Sequence, residues 1–237
     1  MVAAGELVVV GGGHELAGRL LERQARQQVS RAPTTSEWDG RWAMAVVVGG
    51  RRPVEVRAEL RKAMTDLRMG ELREGVWMRP DNLADPAAPG AAAVLDAQCQ
   101  RFVASPADVL HEAQPPGGAA RPARARIGEA GPADHRRASE LARRLWDLDA
   151  WAARATELRG QLDAVVGSLE SGDTSALAPG FVLSAAALRH LLADPLLPPA
   201  LLPPQWCGDD LRRDYDRYDT AFKTLWRDWF RQAHDPS

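Results

Sequence analysis

Thiols are scarce in this chain: Cys99 and Cys207 are its two cysteines, far apart and in no C-x-x-C spacing. That argues against a disulfide framework and a clustered thiolate metal site, and it fits a reducing compartment. Neither sign of charge is in excess. A formal charge of -2 over 237 residues carries no overall basic signature for nucleic acid, although a local patch remains open. Long apolar runs are missing as well. No stretch has the uninterrupted length of a membrane span, and the N-terminus lacks the basic-then-apolar order of a signal peptide. No membrane contact is expected, and the cytoplasm is the default location.

The familiar catalytic patterns are also absent. The chain has no phosphate-binding loop, dinucleotide fingerprint, zinc-protease helix or nucleophile elbow. Gly11-Gly12-Gly13 lacks the lysine and helix start of a phosphate loop and reads as a hairpin tip. The five histidines are scattered, and His190, beside Leu191 and Leu192, reads as a packing residue. An acidic run at Asp209, Asp210, Asp214, Asp216 and Asp219 is threaded with Arg212, Arg213 and Arg217 at helical spacing, the pattern of a solvated face. Asp209 and Asp210 at its start suit helix capping. No catalytic residue, metal ligand or cofactor site is assigned, and a non-enzymatic role is expected.

What is present begins at Trp38-Asp39-Gly40-Arg41-Trp42, which runs into Ala43-Met44-Ala45-Val46-Val47-Val48 and stops at Gly49-Gly50. This reads as a strand buried on both faces, or nearly so. A helix from Pro53 to about Arg68, ended by Met69-Gly70, leads to a second strand at Gly75-Val76-Trp77-Met78. Trp42 and Trp77 are expected to be core residues packed near each other. Arg79-Pro80-Asp81-Asn82 is turn chemistry, followed by a short helix at Ala91 to Ala97 and a closing strand from Gln98 to Ala104. The order suggests a ferredoxin-like sheet with some of its regularity lost.

Before that unit, Glu6 to Leu16 reads as a hairpin and Gly18 to Gln28 as an amphipathic helix, with Arg19, Arg23 and Arg26 outward and Ser30 to Glu37 as linker. After it, His111 to Arg124 is a loop, and helical signal dominates from about Pro132. One helix is expected at Phe181 to Leu192, introduced by Ala178-Pro179-Gly180. Pro198-Pro199 and Pro203-Pro204 predict an extended connector. A long helix from Asp209 follows, with Leu211, Tyr215, Tyr218, Phe222, Leu225, Trp226 and Trp229 at intervals of three and four residues.

Two stretches carry a family resemblance. Leu192-Ala193-Asp194-Pro195-Leu196-Leu197-Pro198-Pro199-Ala200-Leu201-Leu202-Pro203-Pro204-Gln205-Trp206, with Gly208, resembles the C-terminal signature of PaaX-type transcriptional regulators. Trp38-Asp39-Gly40-Arg41-Trp42 and Leu72-Arg73-Glu74-Gly75-Val76-Trp77-Met78-Arg79-Pro80 resemble that family's central domain, itself similar to a ferredoxin-like CRISPR-associated nuclease fold. The resemblance spans about Gly5 to Arg231. It implies an α+β chain in three parts: a remnant of a winged helix-turn-helix over 1–29, a ferredoxin-like central domain over 38–106 and an all-helical C-terminal domain over 128–234.

The resemblance implies a dimeric, repressor-like regulator of aromatic-acid (phenylacetate) catabolism that binds operator DNA and responds to an aryl-CoA thioester. Met1 to Leu7 resembles the end of a recognition helix and the first wing strand, so DNA reading is expected to be impaired by truncation. His14 and Arg19 are candidate contacts to the nucleic-acid backbone. Trp206, Arg212, Arg213, Arg136 and Arg137 are candidate effector contacts, combining apolar wall with guanidinium groups for phosphates, at a pocket expected between the C-terminal helices and the central sheet. Two alternatives stand beside this reading. One is a dimerisation and ligand-sensing module without DNA binding. The other is a metal-dependent nuclease using Asp39, although the turn at Asp39-Gly40 accounts for that residue more simply.

Overall fold

A computed structural model of the chain describes residues 7–10, 13–16, 18–83, 88–105 and 132–234, with side chains from Arg23 onward apart from those of Pro132, Ala133 and His234. The expected helix end at Met1 to Ala4 and the loop at His111 to Arg124 lie outside the described residues. The described residues form two compact units. The first takes residues up to Arg26, Pro33 to Asp147 and Pro195 to Leu202. The second takes Gln27 to Ala32, Leu148 to Asp194 and residues from Pro203 onward.

In the first unit, β1 (Leu7–Val10) pairs antiparallel with β2 (Gly13–Leu16), the expected hairpin. The helix α1 (Gly18–Arg31) outlasts its expected end, because nothing breaks it before Pro33. Ser30, expected in a linker, is helical and fully buried. Arg26, expected to face outward, is half-buried and ion-paired with Asp66.

The central sheet follows as β3 (Trp42–Val47), α2 (Val54–Asp66), β4 (Gly70–Arg73), β5 (Val76–Pro80), α3 (Pro89–Gln98) and β6 (Cys99–Ala104). Its four strands lie in the order β4-β5-β3-β6, all antiparallel, which is the ferredoxin-like arrangement. The strand β4 was not anticipated, since only a helix end was expected at Met69-Gly70, and its pairing with β5 shifts register between Glu71 and Arg73, so some regularity is lost there. Arg68, at φ 58°, turns the chain out of α2, and Gly75, at φ 75°, turns β4 into β5. Four residues with two charges among them are too few for alternation to show. Gly70 lies so close to the helix α4 (Pro132–Leu145) that a Cβ there would come 2.8 Å from Leu145 Cβ.

One sheet face, carrying Ala45, Trp77 and Cys99, packs on Leu60, Ala63 and Met64 of α2 and Ala91 and Leu95 of α3. Trp42 and Trp77 are both buried, as expected of core residues, but they do not share a face. Trp77 sits opposite Ala45, and Trp42 differs from Ala45 by an odd number of positions, so it projects to the other side. There it meets Trp38 edge to face at 5.8 Å. Along β3 only Trp42 and Ala45 are fully buried, against the expectation for the whole strand. Its neighbour β6 ends the sheet with Phe102 and Val103 exposed, so β3 is thinly covered on that side. The proline-rich connector is not wholly extended. Pro199–Leu201 closes a 3-10 turn that packs on α4.

The second unit is built on α5 (Leu148–Glu170), α6 (Leu177–Leu192) and α7 (Gly208–His234). Trp151, Leu158, Leu162, Leu191, Leu211, Tyr215 and Tyr218 form its core. The helix α6 starts at Leu177, four positions before the expected Phe181, because its first turn tolerates Pro179. Thr174–Leu192 is long and apolar enough to cross a membrane by length and composition, contrary to the expectation that no stretch is. Leu177, Gly180, Ala187 and Leu191 are buried in the helical core, which accounts for that apolarity by packing. Trp226 and Trp229, expected inward on α7, are 46% and 39% exposed. At 27 residues α7 outruns α5 and α6, with 23 and 16, so its last turns have less to pack against.

Candidate functional site

The two stretches that carry the family resemblance are where buried polar chemistry collects. In the second unit Asp194 follows the Ala193 cap of α6 and Arg212 lies on the first turns of α7. Both are buried, at 1% and 7% exposure. Arg212 Nη2 donates to Asp194 Oδ2, Nε donates to the Ser30 carbonyl at 2.9 Å and Nη1 donates to Asp209 Oδ1 at 3.3 Å. A buried ion pair holds only when its remaining hydrogen-bonding capacity is met, and here Ser30 and Asp209 contribute to that. Gly208 sits in the angle of this cluster. A Cβ there would lie 2.5 Å from Trp206 Nε1, 2.9 Å from Arg212 Nη1 and 3.2 Å from Asp194 Oδ2. Glycine is required by this close approach.

Trp206 stacks on Trp151 at 4.3 Å, and Trp151 also stacks on His190 at 4.5 Å. The Trp151 and His190 side chains donate to each other's carbonyls, Trp151 Nε1 at 3.2 Å and His190 Nε2 at 2.9 Å. Burial lowers the His190 pKa, and the Trp151 carbonyl and Asp194 offset part of that while Arg154 adds to it. His190 is therefore a neutral packing histidine at neutral pH, as its sequence position suggested. Cys99 is similarly quiet, since burial pushes its thiol pKa up against the opposing charge of Arg52.

In the first unit the corresponding centre is Arg79, 6% exposed on β5. Its Nε donates to the Pro80 carbonyl at 3.1 Å, Nη1 to the Leu67 carbonyl at 3.2 Å and Nη2 to Asn82 Oδ1 at 3.1 Å. Asn82 in turn donates through Nδ2 to the Leu196 carbonyl at 3.1 Å. Leu196 sits at φ 52° in the proline-rich connector, so the central-domain stretch and part of the C-terminal stretch meet at Asn82 within one unit. Desolvation pulls the Arg79 pKa down to about 9, the Arg68 charge adds to the fall and Asp81 opposes it. Sequence reasoning read Arg79-Pro80-Asp81-Asn82 as a turn and missed this centre. The available signal was an arginine directly after the apolar Val76-Trp77-Met78.

The nominated effector residues fall in both units. Trp206 is half-buried on Trp151, Arg212 is occupied by Asp194, and Arg213 is exposed beside Asp210 at 2.9 Å. Arg136 and Arg137 are exposed on α4 in the first unit. His14 lies in β2 opposite Val9 and Arg19 in the first turn of α1, and their side chains lie outside what is described. Asp39 Oδ1 accepts from the Arg41 amide at 3.1 Å and Oδ2 pairs with Arg41 Nε at 2.6 Å, the geometry of a local turn. Among the described residues no group of three His, Cys, Asp or Glu side chains is placed to hold a metal ion. The chemistry assembled here is buried cation and aromatic stack, suited to binding and positioning.

Comparison with known families matches residues 35–113 to the profile described as PaaX protein central Cas2-like domain. Residues 146–233 match the profile described as PaaX-like protein C-terminal domain. Among curated proteins, none matches the sequence. Among solved structures, the chain is similar to an uncharacterized protein, Rv0674, from Mycobacterium tuberculosis. The two share 34% identity and a TM-score of 0.61, over 95% of this chain and 78% of that one.

Proposed function

Because the chain belongs to the PaaX family, whose members are transcriptional regulators, we propose that it is a cytoplasmic, repressor-like regulator of aromatic-acid catabolism. In this reading it acts as a homodimer on operator DNA and is released by an aryl-CoA thioester. The observation that carries the reading is the pair of family domains in order along one chain, at 35–113 and 146–233. The β1–β2 hairpin followed by α1 supports a wing next to the central domain, with His14 and Arg19 as its contacts to DNA backbone. Self-association is supported by β6, an edge strand of the sheet with Phe102 and Val103 exposed, since open edges are commonly covered across a two-fold axis. Arg213, Arg136 and Arg137 present the exposed guanidinium groups that phosphate recognition needs, and Trp206 offers an aromatic surface. Arg212 is a structural residue in this scheme, held by Asp194.

The test is fluorescence anisotropy of the full chain on DNA from upstream of aromatic-acid catabolic genes, with phenylacetyl-CoA, free CoA or nothing added. The proposal expects salt-sensitive binding that phenylacetyl-CoA reverses and free CoA does not. Specific DNA binding insensitive to every aryl-CoA would remove the effector assignment. Aryl-CoA binding without any DNA binding would instead favour a ligand-sensing module, a reading that the net charge of -2 favours.

A further inference from the structure

Arg79 lines a pocket whose chemistry the regulatory reading does not use. Cross-strand from Arg79 on β3 is Ala43, and beyond it on β6 is Val103, so one row across three strands reads Arg79, Ala43, Val103 on the helix-covered face. The small Ala43 leaves room beside the guanidinium. A cavity of about 390 Å³ opens there, lined by Arg79 and Ala43 together with Leu67, Met69, Leu83 and Leu95 on its apolar side. That volume lies within the range of small-molecule pockets, roughly 300–1,000 Å³. Asp81 and Arg101 stand at the same pocket, and Arg101 is turned to Asp96 at 3.1 Å.

Arg79 has five N–H donors, and three are engaged, all by neutral oxygens. No carboxylate hydrogen-bonds this buried cation; the Arg68 charge repels it, and Asp81 attracts it only through space and less than burial and Arg68 oppose it. A larger cavity of about 690 Å³ in the second unit makes the contrast, because the Arg217 that lines it is already bridged to Glu170 at 3.1 Å. Burial of an ion with donors left over is unfavourable unless an anion completes it.

We propose that this cavity is a binding site for a small apolar carboxylate, whose anionic oxygens accept the two remaining N–H donors of Arg79 while its hydrocarbon part lies against Leu67, Met69, Leu83 and Leu95. A neutral amide of the same shape lacks the charge the guanidinium calls for, and sulfate lacks the apolar part. Asp81 repels a bound carboxylate and sets its affinity. The site stands on the first unit alone and does not depend on DNA binding or on an aryl-CoA response.

Calorimetric titration of the full chain with benzoate, benzamide and sodium sulfate tests it. Benzoate binds, and benzamide and sulfate bind at least about tenfold more weakly, the equivalent of roughly 1.4 kcal/mol. Asp81→Asn tightens benzoate about two- to fivefold by removing a like charge. Ala43→Leu fills the space beside Arg79 and abolishes binding, and Arg79→Gln does the same. Circular dichroism establishes that each variant is folded, and the Ala43 and Asp81 variants leave the Arg79 hydrogen bonds intact should Arg79→Gln fail to fold. Absence of any heat or thermal shift for the folded wild type at about 10 mM benzoate overturns the proposal. So does equal binding of benzoate and benzamide, or benzoate binding that survives Ala43→Leu unchanged.

Discussion

Arg79 and Arg212 are buried to the same degree, at 6% and 7% exposure, but their charges are met in different ways. Each has three of its five donors engaged, but two of the three on Arg212 go to carboxylates, Asp194 buried with it and Asp209 at the surface, and the third to the Ser30 carbonyl. Arg79 has carbonyl and amide oxygens only: Leu67, Pro80 and Asn82. The Arg212 cluster is balanced in charge and has the properties of a structural lock. The Arg79 cluster also holds local structure, capping the end of α2 and reaching the connector through Asn82, but it leaves a cation beside an apolar cavity. Burial alone does not separate a lock from a site. The identity of the partners does.

The largest expected effect is on the closed cluster. Asp194→Ala leaves Arg212 buried without its anion and should lower stability by about 3–5 kcal/mol, measured by urea unfolding. Asp194→Leu with Arg212→Met should recover most of that loss, because no charge then remains buried. If the double variant is as unstable as the single, the ion pair is not what the second unit depends on. Gly208→Ala should lose about 1–3 kcal/mol by overpacking against Trp206 and Arg212. Arg79→Met should lose only about 1–2 kcal/mol, since the broken hydrogen bonds are offset by relief of an unpaired buried charge. A loss matching that of Asp194→Ala would erase the difference between the two arginines.

Smaller effects sharpen the second unit. Tyr218 Oη is buried with no partner, whereas Tyr215 Oη meets Ser184 Oγ at 3.1 Å. Tyr218→Phe should raise stability by about 0.5–1 kcal/mol, and Tyr215→Phe should not. For His190, burial places the folded pKa below its ordinary value of 6.5. The unfolded chain therefore takes up the proton first, so this contribution is full above pH 6.5 and is lost as pH falls from there through the folded pKa. His190→Gln should flatten the decline of melting temperature between about pH 7 and 5. An unchanged decline would assign it to other groups.

Much of the fold could be read from residue pattern because most elements carry their own signal. The strand at Trp42 to Val47 and the helix at Gly208 to His234 announce themselves by apolar content and by three-four spacing. The strand Gly70–Arg73 does not, since it is short and half charged, and it exists because β5 offers it an edge. Trp226 and Trp229 fit the helical stripe yet are exposed, because periodicity registers a helix face and not the length of what covers it. The candidate site was less legible. Arg212 was singled out for the right chemical type, but the carboxylate that occupies it is eighteen positions away at Asp194. Arg79 was hidden in a turn-like tetrapeptide, and the Leu196 carbonyl that anchors its partner Asn82 lies 114 positions beyond Asn82. Pairings of that kind are set by tertiary contact and leave no local period.

The most direct test of the contrast between the two arginines observes both guanidinium groups at once. In a spectrum of arginine 15Nε–H resonances, assigned through Arg79→Gln and Arg212→Lys, benzoate is titrated into the full chain with benzamide as control. Benzoate should shift the Arg79 resonance saturably, benzamide should leave it in place, and Arg212 should respond to neither. A stationary Arg79 resonance, or equal movement of Arg79 and Arg212, would contradict that contrast.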